Sequence, residues 1–225
     1  MDLQSTNTDK LPIAGAIIHL EGPDGCGKTT QAKKLAEYLR DLGHDVILAR
    51  QPGHTALGEK LRSVIFGDIN MSLEAQRALF SADNVQFVQE VYLKKPKNTI
   101  VICDRYNPMS NMAYGAYGES MSIGYIWELN NIASQGYYPG MLIVYNVSTK
   151  TSQARLDARA LDKGEILKYD LMGDEFKERI RFGYENVLDV MTPQEQNIMV
   201  YVSGEGSINK VFEDTLSALR FQYNL

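Results

Sequence analysis

Five short apolar runs punctuate the chain, at 15–20, 45–50, 99–104, 141–147 and 197–202, each rich in Val, Ile, Leu or Tyr and too short for a core helix. Between them the apolar positions recur at helical spacing and predict helices near 28–42, 55–66, 73–94, 123–135, 150–160, 174–191 and 207–222. The clearest is 75–93, where Leu79, Phe80, Ala82, Val85, Phe87, Val88 and Val91 fall at mixed three- and four-residue intervals, as on a long core-facing helix. Strands alternating with helices in this way predict an α/β fold of β-α units, with a five-stranded, mainly parallel sheet flanked by helices in three layers. No internal repeat or low-complexity stretch interrupts the pattern.

Length and charge narrow the picture. The 225 residues suffice for one large core, and no linker divides them, so a single domain is expected over 14–225, behind a polar, flexible tail over 1–13. That tail has no apolar segment of the kind a signal peptide carries. A net charge of -5 argues against a general nucleic-acid binder while leaving room for a local basic pocket that holds a small phosphate. Cys26 and Cys103 are too few for a disulfide framework and lack His or Cys companions at metal-ligand spacing, which fits a reducing cytoplasm. The longest apolar runs fall far short of the ~20 residues that cross a bilayer, so no membrane partner is expected.

The chemistry begins at "EGPDGCGKTT", residues 21–30. Gly22-x-x-x-x-Gly27-Lys28-Thr29 satisfies the phosphate-loop pattern, with a predicted strand before it and a helix after it. Glycines at 22, 25 and 27 let successive N–H groups, including that of Cys26, turn inward around an anion at a helix N-terminus. Lys28 then reaches the outer phosphates, Thr29 offers a hydroxyl to Mg²⁺, and Thr30 completes the loop. A second cluster, "VICDRY", ends an apolar strand in Asp104 and Arg105, where a carboxylate can hold the Mg²⁺ hydration shell and a guanidinium can clamp an anion. At another strand end, "ARQPGHT" sets Arg50 before a Pro-Gly turn, as a candidate for a second phosphate. Arg155 and Arg159 lie four apart on a predicted helix and are candidate lid arginines, in a lid placed around 155–172.

Taken in order, these motifs resemble the thymidylate kinase family of P-loop nucleoside monophosphate kinases. "RQPGHT" resembles its Arg-Glu-Pro-Gly-Gly-Thr segment, "LFSADNVQ" its Leu-Phe-x-Ala-(Asp/Asn)-Arg helix, and "DRYNPMSNMAYG" its Asp-Arg-Tyr motif followed by Ser, Ala and Tyr. "FKERIRFGYENV" resembles the segment behind its lid, so that the resemblance covers roughly 14–190. It implies a P-loop kinase fold with a short lid, ATP and Mg²⁺ as cofactors, and transfer of the γ-phosphoryl of ATP to a deoxypyrimidine monophosphate, dTMP foremost. It further implies Asp24 between the substrate sugar and the Mg²⁺ region, Arg50 and Arg105 on the acceptor phosphate, Phe80 stacked on the base, and Tyr114 against the sugar's 2′ position. Ser110 and Asn111 would border the base edge, and a homodimer would pack through helices such as 55–66 and 75–94. His19, His44 and Trp127 read as packing or surface residues.

The chain departs from the family around the acceptor. Asn84 stands where an arginine usually follows Ala-Asp and is the remaining base-site candidate; Gln51 replaces Glu, His54 replaces the second Gly, and Gly115 replaces a frequent Gln. One extra residue separates Asp-Arg-Tyr from Ser110. These changes leave room for a 5-substituted deoxyuridylate. In the lid, Lys163 and Lys168 stand where arginine is usual, so Arg155 or Arg159 is favoured as the bridging cation, with Lys163 in reserve. Two rival readings are the same fold acting on another deoxynucleoside monophosphate or on nucleotides within DNA, and a nucleotide-binding switch without turnover.

Overall fold

A computed structural model describes residues 11–163 and 168–225 of the chain. Five strands, β2 (Ile17–Glu21), β3 (Val46–Arg50), β4 (Ile100–Asp104), β5 (Met141–Asn146) and β6 (Met199–Ser203), form one sheet in the order β3-β4-β2-β5-β6, all pairs parallel. Each lies where an apolar run predicts it. The runs barely alternate because both faces are covered. Ile18, Leu20, Ile100, Ile102, Ile143 and Tyr145 pack on one side, against helices α1 (Lys28–Asp41) and α9 (Ile208–Gln222), while Leu142 and Val144 join a core on the other. A smaller cluster ties Val101 and Cys103 to Phe87 and Val91.

Helices α2 (Ala56–Phe66), α3 (Leu73–Phe87), α5 (Ile123–Ser134), α6 (Thr149–Lys163) and α7 (Asp174–Asn186) also follow the predicted periodicity, giving three layers, helices over sheet over helices. The long helix continues past Phe87 as one π-turn, Val88–Tyr92. Three Ser or Thr caps start α2, α3 and α9: Thr55, Ser72 and Ser207 each accept the N–H three residues on.

Two helices escape the periodicity. Residues 107–118 form a short α-helix, α4 (Asn107–Ser110), running into a π-helical segment, and nearly every residue of it is buried. A helix covered all round has no polar stripe to reveal its period, and the Pro and two Gly in it read as a loop. The other, α8 (Pro193–Asn197), is five residues long and carries a capping box, with Thr192 and Glu195 bonding each other's backbone. Part of the predicted tail over 1–13 is structured: Leu11–Pro12 (β1) pairs in parallel with Tyr223–Asn224 (β7), and Ile13 is buried. Among the described residues no helix is long and apolar enough to cross a membrane.

The strand order reverses at β2, so the C-terminal ends of β3, β4 and β2 open onto one crevice. Register aligns Arg50 with Asp104 and Asp104 with Leu20, one residue before Glu21. Three charged side chains from distant parts of the sequence thereby meet at one edge.

Candidate active site

The loop after β2 turns at Gly22 (φ 140°) and Gly25 (φ 79°), a region that side chains disfavour. Space excludes a side chain as firmly: a Cβ on Gly22 would stand 2.5 Å from the Tyr145 carbonyl oxygen, and one on Gly25 2.6 Å from that of Ser152. Gly27 then caps α1, which has neither a side-chain N-cap bond nor an acidic residue in its first turn. Its first N–H groups and its dipole are thus directed at the loop's hollow, the arrangement an anion requires. Cys26 sends its side chain into the core, so only its backbone serves the loop. Lys28 is buried, with Nζ donating to the Pro23 carbonyl (3.1 Å) and lying 3.6 Å from Asp24 Oδ1. Thr30 stands exposed on the first turn of α1.

The Thr29 hydroxyl donates to Asp104 Oδ2 at 2.5 Å, joining the two residues predicted for the metal across 75 positions of sequence. Asp104 Oδ1 is buried and has no hydrogen-bond partner. A buried carboxylate oxygen with no donor is costly unless something else meets it, and a divalent cation or its hydration water answers that need. Among the described residues no group of three or more His, Cys, Asp or Glu gathers to hold a metal. One hydroxyl and one carboxylate fit Mg²⁺, which keeps several of its waters and takes few protein ligands.

Arg105 follows with φ 84°, a left-handed backbone that costs a non-glycine residue about 1–3 kcal/mol and recurs at functional sites. The turn throws its side chain over the phosphate loop. There it pairs with Asp24 and donates to Tyr114 Oη (3.4 Å), Ser110 Oγ (3.3 Å) and Tyr184 Oη (3.4 Å). Tyr114 also donates to Asp24 Oδ2 at 2.8 Å, under the Arg105 guanidinium, 5.3 Å from its ring centre. Burial would raise the Asp24 pKa, but Arg105 and then Lys28 outweigh it and hold the carboxyl at about 2. Asp24 is a fixed anion between two cations. Beside it a shallow hollow opens to solvent, lined by Asp24, Tyr114, Ser152, Tyr169 and Lys177 among others.

Glu21 is a residue of this cluster that motif reading passed over. Fully buried at the end of β2, it accepts from the Gly22 N–H (2.9 Å), the Tyr106 N–H (2.7 Å), the Tyr184 hydroxyl (2.8 Å) and the Ser110 hydroxyl, and lies 3.7 Å from Arg105. Its signal is a carboxylate closing an apolar strand directly before a glycine loop. Tyr184 is hidden among the core residues of α7, where its spacing from Phe176 and Ile180 advertises packing and not its hydroxyl.

The acceptor candidates divide. Arg50 is half exposed at the mouth and pairs with Glu59 at 2.7 Å. Phe80 is buried, with Phe66 edge-on (6.0 Å) and the Arg77 guanidinium 5.0 Å from its ring centre. Ser110 points into the Glu21–Arg105 cluster, and Asn111 bonds Ser81 (3.4 Å) and Asn130 (3.3 Å) while accepting from Arg77 (3.5 Å). Asn84 uses both ends of its amide on the scaffold, accepting from Gln51 Nε2 (2.9 Å) and donating to the Ala133 carbonyl (3.2 Å). Two departures from the resembled family are therefore one coupled change: Gln51 and Asn84 bond each other. Gly115 packs closely, since a Cβ there would lie 3.0 Å from Ile126 Cδ1 and 3.1 Å from Arg77 Cδ. Arg77, another residue the motifs do not reveal, is buried and bonds Glu119, Gln76 and Tyr169. Asp83 fixes the Arg50 turn by accepting from the Gly53 N–H (3.1 Å) and Asn107 (2.9 Å).

The two candidate lid arginines, both on α6, do different things. Arg155 donates to the carbonyls of Cys26 (3.2 Å), Gly204 (2.9 Å) and Gly206 (3.2 Å), clasping the phosphate loop from behind. Arg159 lies close enough to Asp24 to contribute to its low pKa. The side chains of Lys163 and Lys168 lie outside the described residues, as does part of the expected lid, 164–167.

Comparison with known proteins follows from this geometry. The family model for thymidylate kinase matches residues 20–214. A thymidylate kinase of Finegoldia magna is 32% identical over 91% of this chain and 97% of its own. Those of Mesoplasma florum and Staphylococcus haemolyticus are 31% and 30% identical, over 88% and 91% of this chain and 92% and 99% of theirs.

Proposed function

The chain belongs to the thymidylate kinase family of nucleotide phosphotransferases, and on that premise we propose that it transfers the γ-phosphoryl of ATP to the 5′-phosphate of a deoxypyrimidine monophosphate, dTMP first, giving the diphosphate. The observation that carries this reading is the meeting, across one loop, of the Thr29–Asp104 pair and the Asp24–Arg105–Tyr114 cluster. Phosphoryl transfer needs two anions held in line and little covalent help from the protein, since the acceptor phosphate is itself the nucleophile.

The donor's phosphates would lie in the cradle of residues 22–29, with Lys28 leaving Pro23 and Asp24 to meet them. Thr29 and Asp104 would hold Mg²⁺, which supplies charge neutralisation on the phosphates when bound. Arg105, swung over the loop by its left-handed backbone, and Arg50 at the mouth would hold the acceptor phosphate. Tyr114, fixed against Asp24, supports discrimination against a 2′-hydroxyl. Arg159, near enough to Asp24 to lower its pKa, supports the role of neutralising charge on the transferring group, while Arg155 donates to backbone carbonyls around the loop.

A second acceptor class draws support from the Gln51–Asn84 bond: with Asn84 tied to the scaffold, a donor to the base is lost at that position, which favours a modified base such as 5-substituted deoxyuridylate. ADP release measured with dTMP, dUMP, dCMP, dGMP and 5-substituted dUMP separates the readings. Highest kcat/KM with dTMP supports the first, and a 5-substituted analogue above dTMP the second. No ADP release with any of these acceptors refutes both and favours a nucleotide-binding switch.

A further inference from the structure

His19 sits in the middle of the central strand, wholly buried, yet both ring nitrogens are engaged. Nδ1 lies 2.7 Å from the Arg105 carbonyl oxygen and Nε2 lies 2.8 Å from the Tyr92 hydroxyl. A carbonyl only accepts, so Nδ1 carries the proton and Nε2 accepts from Tyr92. Burial keeps the ring neutral, drawing its pKa down to about 4 against the opposing effect of the carbonyl bond. Phe87, Tyr92 and Tyr106 pack edge-on around it at 5.9, 6.0 and 5.2 Å between ring centres, which fixes the ring plane. Tyr92 reaches the ring from the π-turn at the end of α3, a local irregularity of the kind found near functional sites.

The carbonyl that His19 grips belongs to the one residue whose backbone sets the direction of the cationic clamp. Arg105 is anchored at its N–H by the Leu20 carbonyl (2.9 Å) and at its C=O by His19. Glu21, one strand position further along than Leu20, steadies the guanidinium itself. We propose that His19 is a positioning residue that locks the Arg105 peptide in its left-handed conformation, through the relay Tyr92 Oη–H to His19 Nε2 and His19 Nδ1–H to the Arg105 carbonyl, so that the guanidinium is aimed at the acceptor phosphate. The inference rests on the proposed role of Arg105 in acceptor binding.

His19→Phe keeps the ring and its edge contacts but has no N–H. The KM for the acceptor monophosphate is expected to rise about tenfold, with the KM for ATP unchanged within about twofold, because a buried acceptor loses its donor next to one substrate only. His19→Asn, which can again present an N–H to the carbonyl, restores most of the loss, and Tyr92→Phe, which frees the ring's far side, has a smaller effect in the same direction. Equal changes in both KM values, or Asn no better than Phe, would overturn the proposal. Nitrogen NMR of the unaltered protein tests the geometry apart from catalysis and even if His19→Phe does not fold: Nδ1 protonated and Nε2 bare is expected, and the reverse tautomer overturns the relay. Should the protein phosphorylate no acceptor, the functional reading falls, while the tautomer and the hydrogen-exchange protection at Tyr106 still decide whether His19 holds this turn.

Discussion

The loop proposed for the donor and the wall proposed for the acceptor are built by opposite means. Residues 22–29 form a cradle from consecutive backbone, where glycine geometry and a helix end do the work. The acceptor wall is assembled from β3, α3, the helix at 107–118 and α7, and its side chains are fixed by partners tens of positions away, such as Asn84 by Gln51 and Ser110 by Glu21. Backbone recognition tolerates only glycine at its turns, whereas a side-chain wall can exchange one mutually satisfied pair for another. On the proposed roles, the contrast teaches that the donor is fixed by the fold and the acceptor by a replaceable network.

The hardest blow to that contrast comes at Lys28. Lys28→Ala is expected to lower kcat by about a hundred- to a thousandfold, the loss typical of one electrostatic donor to a transferring group, with any acceptor. Steady-state kinetics with a circular-dichroism check of folding measures it. A loss confined to one acceptor would break the separation of the halves. Arg105→Lys comes next: a point charge cannot span Asp24, Ser110 and Tyr184 as the guanidinium does, so the acceptor KM is expected to rise about tenfold or more while that for ATP changes little.

The coupled departures sharpen the comparison from the other side. Gln51→Glu with Asn84→Arg exchanges a neutral pair for a charged one, and the kcat/KM ratio of dTMP to 5-substituted dUMP is expected to move about tenfold, more than the two single changes combined. Additive single effects in the same assay would mean that the two positions are not coupled in function.

The smallest effect is on stability. Burial raises the Asp83 pKa from 3.8 to about 6 despite its bonds from Gly53 and Asn107. A carboxyl with a raised folded-state pKa adds stability below about pH 4 and loses it as pH rises through about 6, by roughly 1–3 kcal/mol. Asp83→Asn should remove that slope, so that denaturant midpoints of variant and parent converge or cross between pH 4 and 7. Parallel curves would place the titration elsewhere.

The same contrast explains what could be read in advance. All five central strands and the seven amphipathic helices announce themselves by apolar spacing, and the glycine loop by local pattern, because each depends on neighbours in sequence. The helix over 107–118 does not, being buried on every side. Glu21, Arg77, Asp83 and Tyr184 are single polar residues whose meaning lies in partners far along the chain, and His19 looks like one more core residue until its two nitrogens are traced. Asn84 shows the converse: its position in a motif suggested a base contact, and its bonds tie it to the scaffold.

The most direct test follows the phosphoryl group itself, using ATP labelled at its γ-phosphate with dTMP, Mg²⁺ and the unaltered protein, and locating the label by chromatography. Label in the outer phosphate of dTDP is the expected result. Label appearing only in inorganic phosphate, or remaining in ATP with every deoxypyrimidine monophosphate supplied, would contradict transfer between the two halves of the site.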